Sequence, residues 1–177
     1  PLKLINNREM ILHVYDSALK SNVGEVYVAT PDKKIIDTVK KFGGNAILTA
    51  EKHETGTDRV FEVFKKNLKS NPDIIINLQG DMPNILPETI NQLVDYMNKG
   101  KCEIGTLASK LSSDSELEDE NIVKVMVKEK LKKGMFVKAL DFVRRNNTGD
   151  FQVYHHVGIY AFTNKALLRY VGLKRSK

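Results

Sequence analysis

Three short segments carry side chains whose types and spacing suit the binding of a phosphorylated ligand. The first is Gln79-Gly80-Asp81, which directly follows a run of apolar residues. Gly80 permits a tight turn, and Asp81 places a carboxylate just beyond the predicted strand. That position suits Mg²⁺, which takes oxygen ligands and usually combines one or two carboxylates with substrate phosphates. A turn aspartate that hydrogen-bonds the local backbone is the alternative interpretation, and the residues alone do not separate the two.

The second segment runs from His53 to Arg59 and joins a predicted strand to a predicted helix. Gly56 lets backbone amides approach a ligand closely, Thr57 is placed to cap the helix, and Arg59 offers a fork of donors. A helix N-terminus favours anionic or carbonyl-bearing ligands. The alternative is a capped helix start without any ligand, which the residue types by themselves favour.

The third segment contains the adjacent histidines His155 and His156 on a predicted strand. Neighbouring strand residues point to opposite faces, so the two are not expected to bind one metal together. One of them is a candidate to face a ligand. Earlier in the chain, Arg144 and Arg145 near a strand end are candidates to bind a carboxylate bidentately. A structural histidine and solvated arginines are the alternatives.

Alternating helices and strands must position these segments. Apolar periodicity predicts strands at 25–29, 46–49, 73–78 and 104–108, with helices between them. Thr30 and Pro31 are predicted to start one helix, and Gly43-Gly44 to end it. Such alternation implies a parallel sheet with helices on both faces, and ligands of such sheets bind beyond the carboxyl ends of the strands. Further strands are predicted at 122–127, 135–142 and 153–162, followed by a short helix capped by Thr163.

Composition restricts the function further. The 177 residues carry 28 basic and 22 acidic side chains, a net charge of 28 − 22 = +6. The segment 124–145 alone has eight basic and two acidic residues, which leaves a basic nucleic-acid-binding module open as an alternative. The single Cys102 cannot form an internal disulfide, and no apolar stretch is long enough to span a membrane. Since P-loop, dinucleotide, HExxH, GxSxG and CxxC motifs are absent, hydride transfer, zinc proteolysis and serine hydrolysis have no support.

Taken together, a co-linear set of motifs resembles the 3-deoxy-manno-octulosonate cytidylyltransferase family. The motifs are Pro1-Leu2 with Ile11, His13 and Val14; Val28-Ala29-Thr30; Gly43-Gly44; Gly56-Thr57-Asp58-Arg59; Asn77-Leu78-Gln79-Gly80-Asp81; Val123-Lys124-Val125; and His156-Val157-Gly158-Ile159-Tyr160. The resemblance implies an α/β nucleotide-diphospho-sugar transferase fold, a Rossmann-like three-layer α/β/α architecture with a mostly parallel sheet. We expect one incomplete nucleotidyltransferase domain over 1–177, in which 122–162 form later strands or a small flap, and a homodimer.

The reaction that the resemblance implies joins CTP and 3-deoxy-manno-octulosonate (Kdo) into CMP-Kdo and pyrophosphate, with Mg²⁺ as cofactor. The following roles come from motif matches alone. Asp81 would bind Mg²⁺ and, with Arg59, act in catalysis; Gln79 would contact the sugar or ribose; Thr55, Gly56, Thr57 and Arg59 would lie near the cytosine and ribose; His156 and Tyr160 would line the sugar pocket; and Arg144 would meet the sugar carboxylate.

The chain also departs from the family pattern. It starts at Pro1, where the family's arginine-, serine- and lysine-rich phosphate loop ends, and it stops before the family's second metal-binding aspartate. We expect a polypeptide that truly begins at Pro1 to be inactive, and a catalytically dead fragment is one alternative. Another is a cytidylyltransferase for a different sugar acid, such as sialic acid. The family resemblance further implies a cytoplasmic enzyme of lipopolysaccharide biosynthesis that uses no membrane and no nucleic acid.

Overall fold

The computed structural model describes residues 1–67, 71–100, 102–145 and 151–174. Its first half alternates helices and strands as the apolar periodicity predicts. In chain order the elements are β1 (Leu4–Ile5), β2 (Arg8–Glu9), α1 (Met10–Ser21), β3 (Val28–Thr30), α2 (Lys33–Lys41), β4 (Ala46–Leu48), α3 (Gly56–Asn67), β5 (Ile74–Leu78) and α4 (Pro87–Lys99). The second half is mostly strands: β6 (Ile104–Ser109), α5 (Asp114–Glu118), β7 (Lys124–Val127), β8 (Ala139–Val143), β9 (Gln152–Thr163) and α6 (Asn164–Val171).

Local signals set most helix boundaries, and α2 differs from the prediction in its N-terminal cap. The side chain of Asp32, and not Thr30, caps α2 by accepting a hydrogen bond from Lys34 N, so the helix begins two residues later than Pro31. Thr30 is instead the last residue of β3. Gly43 ends α2 in the left-handed region at φ 77°, as predicted, and Thr163 caps α6 by accepting from Ala166 N.

The described strands form three sheets, of which the first pairs β1 and β2 antiparallel and the second contains β3 and β4. β3 and β4 pair in parallel. β5, β6 and β7 each pair antiparallel with β9, and β8 pairs antiparallel with β7. The expected mostly parallel direction is therefore wrong for this third sheet. The apolar run of β5 predicted a strand correctly, but such a run has the same pattern whether its neighbour is parallel or antiparallel.

Helices cover both faces of the sheet that contains β5. Its residues alternate, so that Ile74 and Ile76 pack with Ile90 and Leu93 of α4. Ile75 faces the other way and packs in a cluster that contains side chains of α3 and α6. This arrangement gives the three layers that the sequence predicts. In the described part of the chain, no helix is long and apolar enough to cross a membrane.

A cavity of about 600 Å³ lies between the second and third sheets. It is bordered by residues of β3 and β5 and lined by apolar side chains of α1 and α3, among them Val14 and Val63. Within the described residues, β3 pairs only with β4, and β5 pairs only with β9. The cavity reaches Gly56, Arg59, Gln79 and Gly80, so it opens toward the carboxyl end of β5.

Candidate functional site

The three segments singled out in the sequence meet at the carboxyl end of β5. Gln79 is the first residue after that strand. A Cβ atom built on Gly56 would lie 3.7 Å from Gln79 Nε2, and one built on Gly158 would lie 3.5 Å from Gln79 Cγ. Gln79 therefore lies beside the α3 N-terminus and beside β9 at once. Two of these neighbours are glycines, which leave room for a ligand to approach the backbone closely.

Asp81 is an exposed carboxylate two residues beyond Gln79. Within the described part of the chain, no hydrogen bond or ion pair of its side chain is found. It is therefore not a turn aspartate tied to the backbone. No group of three or more histidine, cysteine or acidic side chains that could hold a metal lies among the described residues. A single free carboxylate fits Mg²⁺ only when substrate phosphates and water complete its coordination.

Thr55, the residue directly before the first residue of α3, caps the N-terminus of that helix. Asp58 Oδ2 accepts from Thr55 N at 2.9 Å and from Thr55 Oγ1 at 2.7 Å, while Asp58 N donates to Thr55 Oγ1 at 3.3 Å. These contacts form a reciprocal capping box. The predicted cap, Thr57, is instead buried, and its hydroxyl accepts from Asn77 Nδ2 at 3.2 Å. Thr57 thus ties α3 to β5 and does not cap the helix.

The guanidinium of Arg59 binds the loop that precedes α3. Its Nη1 atom donates to Thr49 Oγ1 at 2.5 Å and to Ala50 O at 2.8 Å. Its Nη2 atom donates to Glu51 O at 3.3 Å. Arg59 also lines the cavity. Its catalytic role stays a prediction, while its contacts show a side chain that shapes the loop from 49 to 51.

Glu62 fastens the same loop from the next turn of α3. Its carboxylate accepts from Ala50 N at 3.0 Å and lies 2.5 Å from His53 Nε2 and 2.9 Å from Lys66 Nζ. The hydrogen bond from Lys66, with those from Ala50 N and His53, lowers the pKa of Glu62 to about 2. The loop that reaches the site is therefore held by two side chains of one helix, Arg59 and Glu62.

His156 and Tyr160 lie together on β9, as the sequence predicts. Their ring centroids are 5.3 Å apart, and Phe142 of β8 packs edge-on against His156 at 5.0 Å. Nε2 of His156 lies 2.9 Å from Thr106 Oγ1. Burial, and then the neighbouring His155, lower the pKa of His156, so the neutral imidazole is favoured. Burial also raises the pKa of Tyr160.

Arg144 follows β8 directly, two residues after Phe142. It is exposed, and its Nη1 atom donates to Glu120 O at 3.1 Å and Asn121 O at 3.2 Å. Lys124 is fully buried, and its ammonium donates to Asp119 O at 2.5 Å and Arg144 O at 2.7 Å. The two cations join the 119–121 turn to the end of β8. Lys124, the first residue of the basic segment 124–145, is therefore not available to a phosphate on the surface, as the alternative of a basic nucleic-acid-binding module would require.

The sequence analysis assigned no role of their own to three polar residues of this region, Asn77, Thr106 and Lys124. Asn77 stood inside an apolar run, Lys124 was counted as part of a basic surface, and Thr106 lay on an unremarkable strand. Asn77 could have been noticed, because it is the only polar residue in the otherwise apolar run from 74 to 78. Nothing local distinguishes Thr106, because its partners are 50 to 53 residues away in the chain. The burial of Lys124 depends on Arg144 O, 20 residues away, as well as on Asp119 O.

Comparison with known proteins supports the family resemblance. A family model described as Cytidylyltransferase matches residues 1–177. The chain is 38% identical to a 3-deoxy-manno-octulosonate cytidylyltransferase of Thermodesulfovibrio yellowstonii, over 100% of this chain and 74% of that protein. It is equally 38% identical to an 8-amino-3,8-dideoxy-manno-octulosonate cytidylyltransferase of Shewanella pealeana, over 98% of this chain and 71% of that protein.

The fold comparison agrees. A solved structure of CMP:2-keto-3-deoxy-manno-octonic acid synthetase complexed with CTP superposes with a TM-score of 0.84 at 38% identity, over 99% of this chain and 72% of the solved one. A 4-diphosphocytidyl-2C-methyl-D-erythritol synthase from Anaerococcus prevotii, 17% identical, shares the fold with a TM-score of 0.62 over 98% of this chain and 72% of that one. The α/β nucleotidyltransferase fold expected from the sequence is confirmed, and the chain belongs to the cytidylyltransferase family.

Proposed function

We propose that this enzyme transfers CMP from CTP to 3-deoxy-manno-octulosonate and releases pyrophosphate. One geometric observation carries the proposal: Gln79 lies between Gly56 and Gly158, so the three candidate segments share one end of the sheet. Relatives that are 38% identical over the whole chain, and a similar structure solved with CTP, support the same choice of nucleotide and sugar class.

In this reaction the anomeric hydroxyl of the sugar attacks the α-phosphorus of CTP. A new sugar–oxygen–phosphorus bond forms, the bond between the α-phosphorus and the bridging oxygen of the β-phosphate breaks, and the hydroxyl proton goes to solvent. The protein contributes mainly position and charge in such transfers. Gly56 and the amides at the start of α3 would approach the nucleotide, and Gln79 would contact the ribose or sugar.

The sugar would lie on the other side of Gln79. The His156 and Tyr160 rings form a half-buried wall on β9 for its carbon skeleton. Nη1 of Arg144 is bound to the 119–121 turn, and no hydrogen bond to a described residue is found for Nη2 or Nε, the atoms that would meet a carboxylate. Asp81 would hold Mg²⁺, which supplies charge neutralisation at the phosphates when it is bound.

A pyrophosphate-release assay on the intact protein tests this function. We expect turnover with CTP, Kdo and Mg²⁺. Turnover should be lost when EDTA chelates the Mg²⁺ and should recover when excess Mg²⁺ is added. Replacing CTP by ATP is the matched control and should give no more than background. Absence of turnover with CTP and Kdo, in protein shown to be folded, would contradict the proposal.

The sugar could instead be the 8-amino analogue, since a relative named for that substrate is as similar as one named for Kdo. Parallel kcat/KM values for Kdo, 8-amino-Kdo and sialic acid separate the candidates. We expect Kdo to be preferred. A higher kcat/KM for the 8-amino sugar would assign the enzyme to that substrate, and a preference for sialic acid would overturn both.

Two wider expectations accompany the proposed reaction. The family resemblance implies a homodimer, which sedimentation equilibrium of the intact protein tests directly. It also implies cytoplasmic synthesis of a sugar nucleotide for lipopolysaccharide assembly. Cell fractionation with an antibody to the protein tests the location.

A further inference from the structure

Thr106 makes an unusual set of contacts behind the proposed sugar wall. Its hydroxyl oxygen lies 2.7 Å from Ile159 O, 3.3 Å from Val157 O and 2.9 Å from His156 Nε2. A bulge creates this cluster, because β6 steps from Tyr160 to Val157 of β9 between Thr106 and its next residue. Bulges of this kind redirect side chains and often lie beside active sites.

The proton count within this cluster fixes the direction of the histidine hydrogen bond. A threonine hydroxyl has one proton to donate, and a backbone carbonyl can only accept. The short contact to Ile159 O therefore takes the hydroxyl proton. The oxygen of Thr106 can then serve His156 only as an acceptor, which requires a proton on Nε2.

That assignment determines what the other ring nitrogen can do. In the neutral imidazole one nitrogen donates and the other accepts. With Nε2 protonated and bound to Thr106, Nδ1 carries a lone pair. Within the described residues, no hydrogen bond reaches Nδ1. The rings of Phe142 and Tyr160 hold the imidazole in place from β8 and β9.

We propose that Thr106 is a positioning residue that holds His156 in its Nε2–H form, so that Nδ1 accepts a hydrogen bond from a hydroxyl of the sugar substrate. The part that concerns the sugar rests on the proposed function. The part that concerns the tautomer does not, because it follows from contacts within the protein.

Nitrogen-15 NMR of the histidine side chains tests the tautomer on the 177-residue chain, with His156→Asn identifying the His156 signals. We expect a neutral imidazole protonated at Nε2, with an Nε2 proton visible in water because its hydrogen bond slows exchange. Thr106→Val, which removes the hydroxyl at nearly constant shape, should lose that proton signal, and Thr106→Ser should keep it. A proton on Nδ1 in the unsubstituted protein, or an unchanged signal in Thr106→Val, would overturn the proposal.

Steady-state kinetics on the intact protein tests the role toward the sugar. We expect Thr106→Val to raise the KM for Kdo about 10-fold with little change in the KM for CTP, and Thr106→Ser to restore it, in line with the loss of one well-placed hydrogen bond. Equal increases in both KM values would contradict a sugar-specific role. If the unsubstituted protein had no activity with Kdo, the proposed function would fail while the NMR result would still decide the tautomer.

Discussion

Asp81 and Arg59 lie at the same end of the sheet, yet their side chains have very different surroundings. Asp81 is exposed, and no side-chain hydrogen bond or ion pair is found for it within the described residues. Arg59 donates to Thr49, Ala50 and Glu51. Both were predicted to be catalytic from their motifs. Three guanidinium hydrogen bonds of Arg59 hold the preceding loop, whereas the Asp81 carboxylate has no partner among the described residues and is the better candidate to bind a ligand.

The largest expected effect is a loss of activity on substitution of Asp81. Asp81→Asn removes one charge from an exposed position, so we expect kcat to fall by about 100- to 1,000-fold, the usual effect of removing a group that stabilises transition-state charge. The free energy of unfolding should change by less than about 0.5 kcal/mol, because the side chain is exposed. Pyrophosphate release and urea denaturation measure the two quantities.

Asp95→Asn, on an exposed position of α4, is the matched control for this substitution. It should leave both activity and stability unchanged. Full activity of Asp81→Asn would exclude a metal-binding or catalytic role for Asp81 and would remove the contrast with Arg59.

The second effect concerns the stability that Arg59 contributes. Arg59→Met keeps the aliphatic part of the side chain but leaves three acceptors without their donor. We expect the free energy of unfolding to fall by about 2 kcal/mol, since hydrogen bonds from a charged group typically contribute that much. Urea denaturation followed by circular dichroism measures it.

Arg145→Met serves as the control for loss of an arginine. Arg145 pairs with Glu120 on the surface, with its side chain 81% exposed. Such pairs contribute little, and we expect a change under about 0.5 kcal/mol. Equal stability losses in the two variants would show that the Arg59 contacts do not fasten the loop.

A smaller effect is expected at the start of α3. Thr55→Ala removes the cap, and losses of this kind cost about 1 kcal/mol. Thr55→Ser keeps the hydroxyl and should restore most of the stability. If Thr55→Ala were as stable as the unsubstituted protein, the contacts of Arg59 and Glu62, and not the Thr55 cap, would fix the start of α3.

The smallest effect is a pH dependence at Glu62. Its pKa is lowered from 4.5 to about 2 in the folded protein, mainly by the hydrogen bond from Lys66. The stabilisation is therefore present above pH 4.5 and is lost as the pH falls through about 2. We expect the difference in urea midpoint between the protein and Glu62→Gln to shrink steadily across that window.

Glu129→Gln, at an exposed position, should show no such change with pH. A constant difference between the protein and Glu62→Gln from pH 6 to pH 2 would mean that its carboxylate does not hold the loop through its charge.

The sequence predicted those features that depend on neighbouring residues. The apolar stripe of α4, the strand before Gln79 and the left-handed end of α2 at Gly43 all follow from local patterns. The rule for open α/β sheets predicted that Gln79-Gly80-Asp81 would lie at the ligand-binding edge. The histidine segment reaches the same edge through the antiparallel pairing of β9 with β5, which the rule does not predict. Two of the predicted helix caps differ from the structure, because a neighbouring side chain takes the capping position. Asp32 caps α2 in place of Thr30, and Thr55 caps α3 in place of Thr57.

The features that could not be predicted depend on pairing between distant segments. The direction of β9 relative to β5 leaves no mark on the hydrophobic pattern of either strand. The bulge opposite Thr106 and the burial of Lys124 arise only once three strands and a turn have assembled. A lysine whose carbonyl partners come from two other segments looks, in the sequence, like any surface lysine.

Among the residues that the structure describes, β3 and β5 each have one edge without a strand partner, and this has a consequence for how the polypeptide behaves in solution. Each presents a row of backbone amide and carbonyl groups beside an apolar cavity of about 600 Å³. Edges of this kind recruit strands from other molecules. The apparent molar mass of the 177-residue chain from light scattering should therefore rise with protein concentration, and lysine or proline introduced into β3 should suppress that rise.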